Sequence, residues 1–174
     1  MAVGISKQHA DPSVEIAPAA APFSMRVSSR AHYGLRMMTE LARGFGQGPI
    51  SIAEVARIES LPVAYLEQLA AQLRRGGLIG SRRGVHGGYS LTRPASEISV
   101  LEVVRILEGE VSPVECVASG YVHGTCVREG ECASRGLWQR LKESIDSVLS
   151  QTTLADLLND QAMLQSMAPA GAAR

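Results

Sequence analysis

Three cysteines, Cys116, Cys126 and Cys132, stand with nine and then five residues between them, in a segment otherwise rich in Glu, Gly, Ser and Arg. A free cysteine is ordinarily a buried, inert hydrophobe. Here Glu115, Ser119, Gly120, His123, Gly124, Arg128, Glu129, Gly130 and Glu131 flank the thiols, and no apolar stripe gives the segment a core face. The odd count argues against a disulfide framework, and nothing in the first residues resembles a secretory signal. In a reducing compartment, thiolates grouped in this way are soft-metal ligands or redox switches. The paired CxxC knuckles that would point directly to zinc are absent. The cysteines therefore predict a metal or redox centre on a polar loop spanning residues 110–133.

The elements around that loop read as a second kind of chemistry. The chain has 174 residues and a formal net charge of zero, but the charge is unevenly distributed. The segment 25–93 carries +6, whereas residues 94–174 carry −5. A basic half beside an acidic half points to a polyanion bound by one half only. No apolar run approaches the length of a membrane span, so a soluble, cytoplasmic protein with no membrane partner is expected. Residues 1–24, rich in Ala and Pro without periodicity, read as a disordered tail, and 161–174 as a flexible one.

Within the basic half, a helix is predicted from a Ser28/Ser29 cap, with Ala31, Leu35, Met38, Leu41, Ala42 and Phe45 at helical spacing up to the glycines at 44, 46 and 48. Ser51 and Glu54 form a capping box that opens a short helix burying Ile52, Val55 and Ala56. After the turn Glu59-Ser60-Leu61, Pro62 starts a further helix that buries Val63, Leu66, Leu69 and Leu73 and stops at Gly76-Gly77. Two short helices joined by a tight turn outline a helix-turn-helix. Short strands at Leu78-Ile79 and Tyr89–Leu91 flank SRRGVHGG, a glycine-rich hairpin tip, which makes the unit a winged helix. Tyr65, Gln68, Gln72 and Arg75 line the outer side of the second helix and suit base edges and phosphates, while Arg82, Arg83 and His86 sit at the wing tip.

Beyond Pro94, Ser99 and Glu102 cap a helix with Val100, Val103, Val104 and Leu107 that ends at Gly109. After the cysteine loop, a long helix from Ser134 to Ser150 carries Leu137, Trp138, Leu141, Ile145, Val148 and Leu149 on one stripe. Thr153 and Asp156 cap a short helix ending at Leu158. One winged helix reads one half-site, so the long striped helix is expected to be the seam of a homodimer bound to double-stranded DNA at a roughly two-fold symmetric site. The expected fold is mainly α with a small β-hairpin: a winged helix-turn-helix over 25–94, followed over 95–160 by a sensor loop and a long dimerisation helix. No nucleophile-base pair or phosphate loop occurs in a convincing context, so an enzyme is not expected.

The segments MRVSSRAHYGLRMMTELA from Met25, YLEQL at 65–69, LRRGGLIGSRRGVHGGYSLTRP up to Pro94, VVRILEGEVSPVEC up to Cys116 and TTLADLL resemble the Rrf2 family of bacterial winged-helix regulators, with its IscR, NsrR and CymR types. The resemblance implies a sequence-specific transcriptional regulator. It places Tyr65, Glu67 and Gln68 on the recognition helix and Arg83 at the wing arginine used in the minor groove. It further implies that Cys116, Cys126 and Cys132 hold an iron-sulfur cluster of two or four irons, through which iron, redox state or nitric oxide is sensed. The first gap between cysteines is longer than the usual five residues, and Arg135 occupies the position where one type has a ligating histidine. The matching position of another type makes His32, from the partner subunit, the expected fourth ligand, with His123, Glu129 and Glu131 as rivals. The alternative implied by the CymR type is a cluster-free regulator acting through a partner protein or a thiol switch, with zinc as a further variant.

Overall fold

The computed structural model describes residues 28–167; the expected N-terminal tail and residues 168–174 lie outside the described residues. Helix α1 (Ser29–Arg43) starts where the Ser28 hydroxyl accepts the Arg30 N–H and ends at Gly44. It is followed by α2 (Ile52–Glu59), α3 (Val63–Arg75), a hairpin of β1 (Ile79–Arg82) and β2 (Gly88–Leu91), α4 (Val100–Glu108), α5 (Arg135–Gln151) and α6 (Leu154–Met167). One-turn 3-10 segments lie at Ala95–Glu97 and Glu115–Val117. The expected fold is the one observed: helices with one two-stranded antiparallel hairpin directly after the helix-turn-helix.

Helix α1 is the centre of the packing, in contact with α2, α3, α4, α6 and β2. Met37, Met38 and Leu41 from α1 meet Val55 from α2, Leu66, Leu69 and Leu73 from α3, and Leu107 from α4 in one fully enclosed cluster. Two close approaches set its geometry. A Cβ at Gly34 would lie 2.1 Å from Leu107 Cδ1, so the absence of a side chain there lets α1 and α4 meet. A Cβ at Gly88 would lie 2.3 Å from the Ile50 carbonyl oxygen, where Ile50 and Tyr89 exchange backbone hydrogen bonds of 2.9 and 2.8 Å and tie the wing to the start of α2. In the hairpin, Ile79 faces Leu91 and Arg82 faces Gly88, so the apolar end is buried and the arginine end protrudes.

Several local expectations change in three dimensions. Only half of the capping box at Ser51 forms: its hydroxyl accepts the Glu54 N–H, while the Glu54 carboxylate turns to Arg57. The box at Ser99 and Glu102 is complete. Pro62 caps α3 rather than occupying its first helical position, and Val63 is exposed because α3 turns that edge outward. Phe45 falls beyond the end of α1 and is also exposed. The last helix does not stop at Leu158 but continues to Met167, so 161–167, expected to be flexible, are helical. Leu154, Leu157 and Leu158 pack onto the core at its start, and nothing in LNDQAMLQSM breaks a helix once begun. No helix among the described residues is long and apolar enough to cross a membrane.

Candidate DNA-reading surface and cysteine loop

Helix α3 packs against β1 of the hairpin, and both elements expose arginines. Leu66, Leu69, Ala70 and Leu73 fix the inner side of α3, which leaves Glu67, Gln68, Arg74 and Arg75 exposed on the outer side. Tyr65 and Gln72, expected on that outer side, are half-buried. The Tyr65 ring stands edge-on to Tyr33 of α1, with centroids 5.9 Å apart, and the Arg36 guanidinium lies 5.7 Å from the Tyr33 ring centre. Arg36 also donates to the Glu59 carboxylate at 2.6 Å and to the Glu59 carbonyl at 2.7 Å, which clamps the α2–α3 turn onto α1. Sequence reasoning missed this clamp, because no spacing rule links residues on separate helices. It also missed Arg74, whose guanidinium reaches the Ser81 hydroxyl at 3.3 Å and joins α3 to the hairpin. Its position in the last turn of a basic helix was the available signal. Arg82, Arg83 and His86 are exposed at the wing, and Val85 at its tip is fully solvated.

The cysteine loop runs from α4 to α5. It is seated on α5 through Lys142, which bonds Glu110 at 3.1 Å and Asp146 at 2.8 Å; Glu110 in turn accepts the Ser119 N–H and hydroxyl. Cys116 lies half-buried in the 3-10 turn, Cys126 is exposed and Cys132 is half-buried, and all three are free thiols. Cys132 precedes α5, and its thiol is lowered from the ordinary value by the Ser134 hydroxyl 3.4 Å away, by the Ser134 and Arg135 backbone N–H groups and by Arg128.

Glu129 is the hub of the loop. It accepts from the Gly124 N–H at 2.6 Å, from Arg135 at 3.0 Å and from Tyr121 at 3.2 Å, and it meets His123 Nδ1 at 2.5 Å. The Gly124 N–H, His123, Arg135 and Tyr121 together hold its carboxyl down at about 2. Two residues expected as alternative ligands, His123 and Glu129, are thus bonded to each other, and Glu131 is exposed. His32 is exposed on the first turns of α1, 5.1 Å from the Tyr33 ring, and among the described residues no hydrogen bond or ion pair joins its side chain to the cysteine loop.

The donor set fits a soft metal centre: three uncrosslinked thiols within one loop, each reachable by solvent. Among the described residues, no three His, Cys, Asp or Glu side chains converge as a metal cage.

The sequence pattern of the Rrf2 family, described as iron-dependent transcriptional regulators, matches residues 27–160. The chain belongs to the Rrf2 family. Within it, the chain is similar to the HTH-type transcriptional regulator CymR of Bacillus subtilis, 40% identical over 133 residues that cover 76% of this chain and 89% of CymR. It is also similar to IscR of Klebsiella pneumoniae, 34% identical over 80% of this chain and 83% of that one. Among solved structures, IscR of T. potens superimposes with a TM-score of 0.65 at 38% identity, over 83% of this chain and 93% of that chain. The protein is therefore an Rrf2-type DNA-binding transcriptional regulator and not an enzyme.

Proposed function

We propose that this Rrf2 regulator binds a roughly two-fold symmetric operator as a homodimer and senses its signal through an iron-sulfur cluster held by Cys116, Cys126 and Cys132. The observation that carries this reading is the set of three free thiols on one polar loop seated at the start of α5. Such a cluster, when bound, supplies one-electron redox chemistry and reactivity toward oxidants and nitric oxide. The chain itself supplies the transmission. Leu137 and Val148 on α5 are exposed, and with half-buried Trp138, Leu141 and Ile145 they form the apolar seam available to a second copy. The loop grips α5 through Lys142, α5 packs on α4, and α4 meets α1 at Gly34 and the end of α3 at Gly76. Closing or opening the loop therefore tilts α5 against the reading head and changes the spacing of the two α3 helices, which is how an interface shift alters operator affinity.

On the DNA, exposed Gln68 and Glu67 face base edges, Tyr65 and Gln72 contribute from the flanks of α3, and Arg75, Arg82, Arg83 and His86 meet phosphates and the groove. The fourth cluster ligand comes from outside the thiolate set, with His32 of the partner subunit, His123, Glu129 and Glu131 as the competing donors. A second reading, a cluster-free thiol switch or partner-protein regulator, is favoured by one observation: the free Cys132 thiol stands just before α5, 3.4 Å from the Ser134 hydroxyl. Anaerobic purification followed by visible absorption and iron and sulfide analysis decides between them. Stoichiometric iron and sulfide with a brown chromophore support the cluster; a colourless, iron-free protein after reconstitution leaves the thiol reading.

A further inference from the structure

Tyr33, Arg36, Glu40 and Arg43 recur along α1 at helical spacing and so lie on one face of that helix. Arg36 is the member that reaches across to another element. Its guanidinium holds both the Glu59 carboxylate, at 2.6 Å, and the Glu59 carbonyl, at 2.7 Å. That carbonyl belongs to the last residue of α2, where the helix itself offers no further N–H. The next residue, Ser60, is the one non-glycine among the described residues with a positive φ, 53°. A left-handed conformation is unfavourable for a residue with a Cβ, so the turn persists only where its surroundings hold it. A planar fork of donors can grip side chain and backbone together, which a single ammonium does poorly.

The same guanidinium lies 5.7 Å from the Tyr33 ring centre, and Tyr33 meets Tyr65, in the first turn of α3, edge-on at 5.9 Å. Arg36 therefore bears directly on the end of α2 and, through Tyr33, on the start of α3. Glu40 is the one buried charged side chain among the described residues, paired with Arg43 at 3.0 Å. Burial raises its carboxyl above the ordinary value, Arg43 opposes this, and the nearby Glu59 carboxylate adds to it. Without Arg36, the Glu59 carboxylate would be left beside Glu40 with no base of its own, which pushes the turn away from α1.

We propose that Arg36 is a positioning residue for base readout: acting through Glu59 and the Tyr33–Tyr65 ring pair, it fixes the angle at which α3 presents Glu67 and Gln68 to the operator. The proposal rests on the reading of α3 as the base-contacting helix and adds to it a residue that touches no base. Directional hydrogen bonds to base edges weaken steeply when the helix carrying them rotates, whereas long basic side chains on phosphates follow the movement, so the loss falls on sequence preference.

The test uses the full chain. Fluorescence anisotropy measures the affinity for a labelled operator and for the same operator with single base-pair replacements, across a salt series, and a denaturant titration measures stability. Arg36→Met keeps the length of the side chain and removes its donors. It should lower discrimination between the operator and its variants by about five-fold or more, the lower end of what one base contact supplies, with the salt slope unchanged. Arg36→Lys and Glu59→Gln, each of which keeps part of the grip, should fall between Arg36→Met and the wild type. Stability lost with discrimination intact makes Arg36 a structural residue only and overturns the proposal. A smaller salt slope in Arg36→Met shows a direct phosphate contact and overturns it as well. If Arg36→Met does not fold, the other two variants decide: intact discrimination in both overturns the proposal, and reduced discrimination in either at an unchanged slope supports it. If Gln68→Ala leaves discrimination untouched, the reading of α3 fails and this proposal with it.

Discussion

Replacing Arg83 by Ala isolates the electrostatic part of DNA binding. Arg83 is exposed at the wing, and among the described residues it makes no hydrogen bond or ion pair, so its removal costs the fold nothing specific. Each phosphate neutralised by a side chain contributes about 0.9 to the slope of log affinity against log salt, so a dimer losing one such contact per subunit should lose about 1.8 from that slope. Between ~50 and ~200 mM salt, the wild type should then lose about twelve-fold more affinity than Arg83→Ala does. Fluorescence anisotropy with a labelled operator across a salt series measures both slopes. Gln68→Ala serves as the contrast: it removes a neutral side chain, should leave the slope unchanged, and should cost about 1–3 kcal/mol of discrimination at particular base pairs. An unchanged slope in Arg83→Ala, or a changed slope in Gln68→Ala, would refute the assignment of Arg83 to an electrostatic contact with the DNA and of Gln68 to bases.

Gly88→Ala should loosen the wing, since its Cβ would press on the Ile50 carbonyl; hydrogen exchange at the Tyr89 amide should accelerate and operator affinity fall, with the helical core intact. Ser99→Ala should cost about 1 kcal/mol of stability at neutral pH in a denaturant titration. Burial raises the Glu102 carboxyl, but the Ser99 N–H, Arg93 and the Ser99 hydroxyl outweigh it and hold the group below its ordinary value. The stability Glu102 contributes is therefore present above the usual carboxylate range and is lost as pH falls through its depressed value, so the wild-type advantage over Ser99→Ala should shrink on acidification. Cys116→Ala, Cys126→Ala and Cys132→Ala should each abolish the chromophore while leaving a folded dimer by size-exclusion chromatography and circular dichroism.

Local chemistry was sufficient for much of this protein. The helix-turn-helix follows from the periodic apolar residues of α1 to α3 and from turn residues whose backbone preferences act over a few positions, such as Ser60 in the left-handed region. The capping box at Ser99 and the glycine-rich wing tip are equally local, which is why both were legible. The cysteines stood out because a polar neighbourhood is a property of the sequence itself. What the chain order could not convey is which distant side chains meet. The half-burial of Tyr65 depends on Tyr33, thirty-two positions earlier, arriving edge-on from another helix. The clamp of Arg36 on Glu59 depends on the crossing of α1 with the α2–α3 turn. The extension of α6 to Met167 follows from the docking of Leu154, Leu157 and Leu158, not from any periodic signal in the residues beyond them. In the cysteine loop, His123, Glu129 and Arg135 read as separate polar residues, and only the folded turn brings His123 and Arg135 onto the Glu129 carboxylate. Periodicity and capping report on neighbours along the chain; contacts between elements depend on how their packed faces cross, and that is decided only when the core closes.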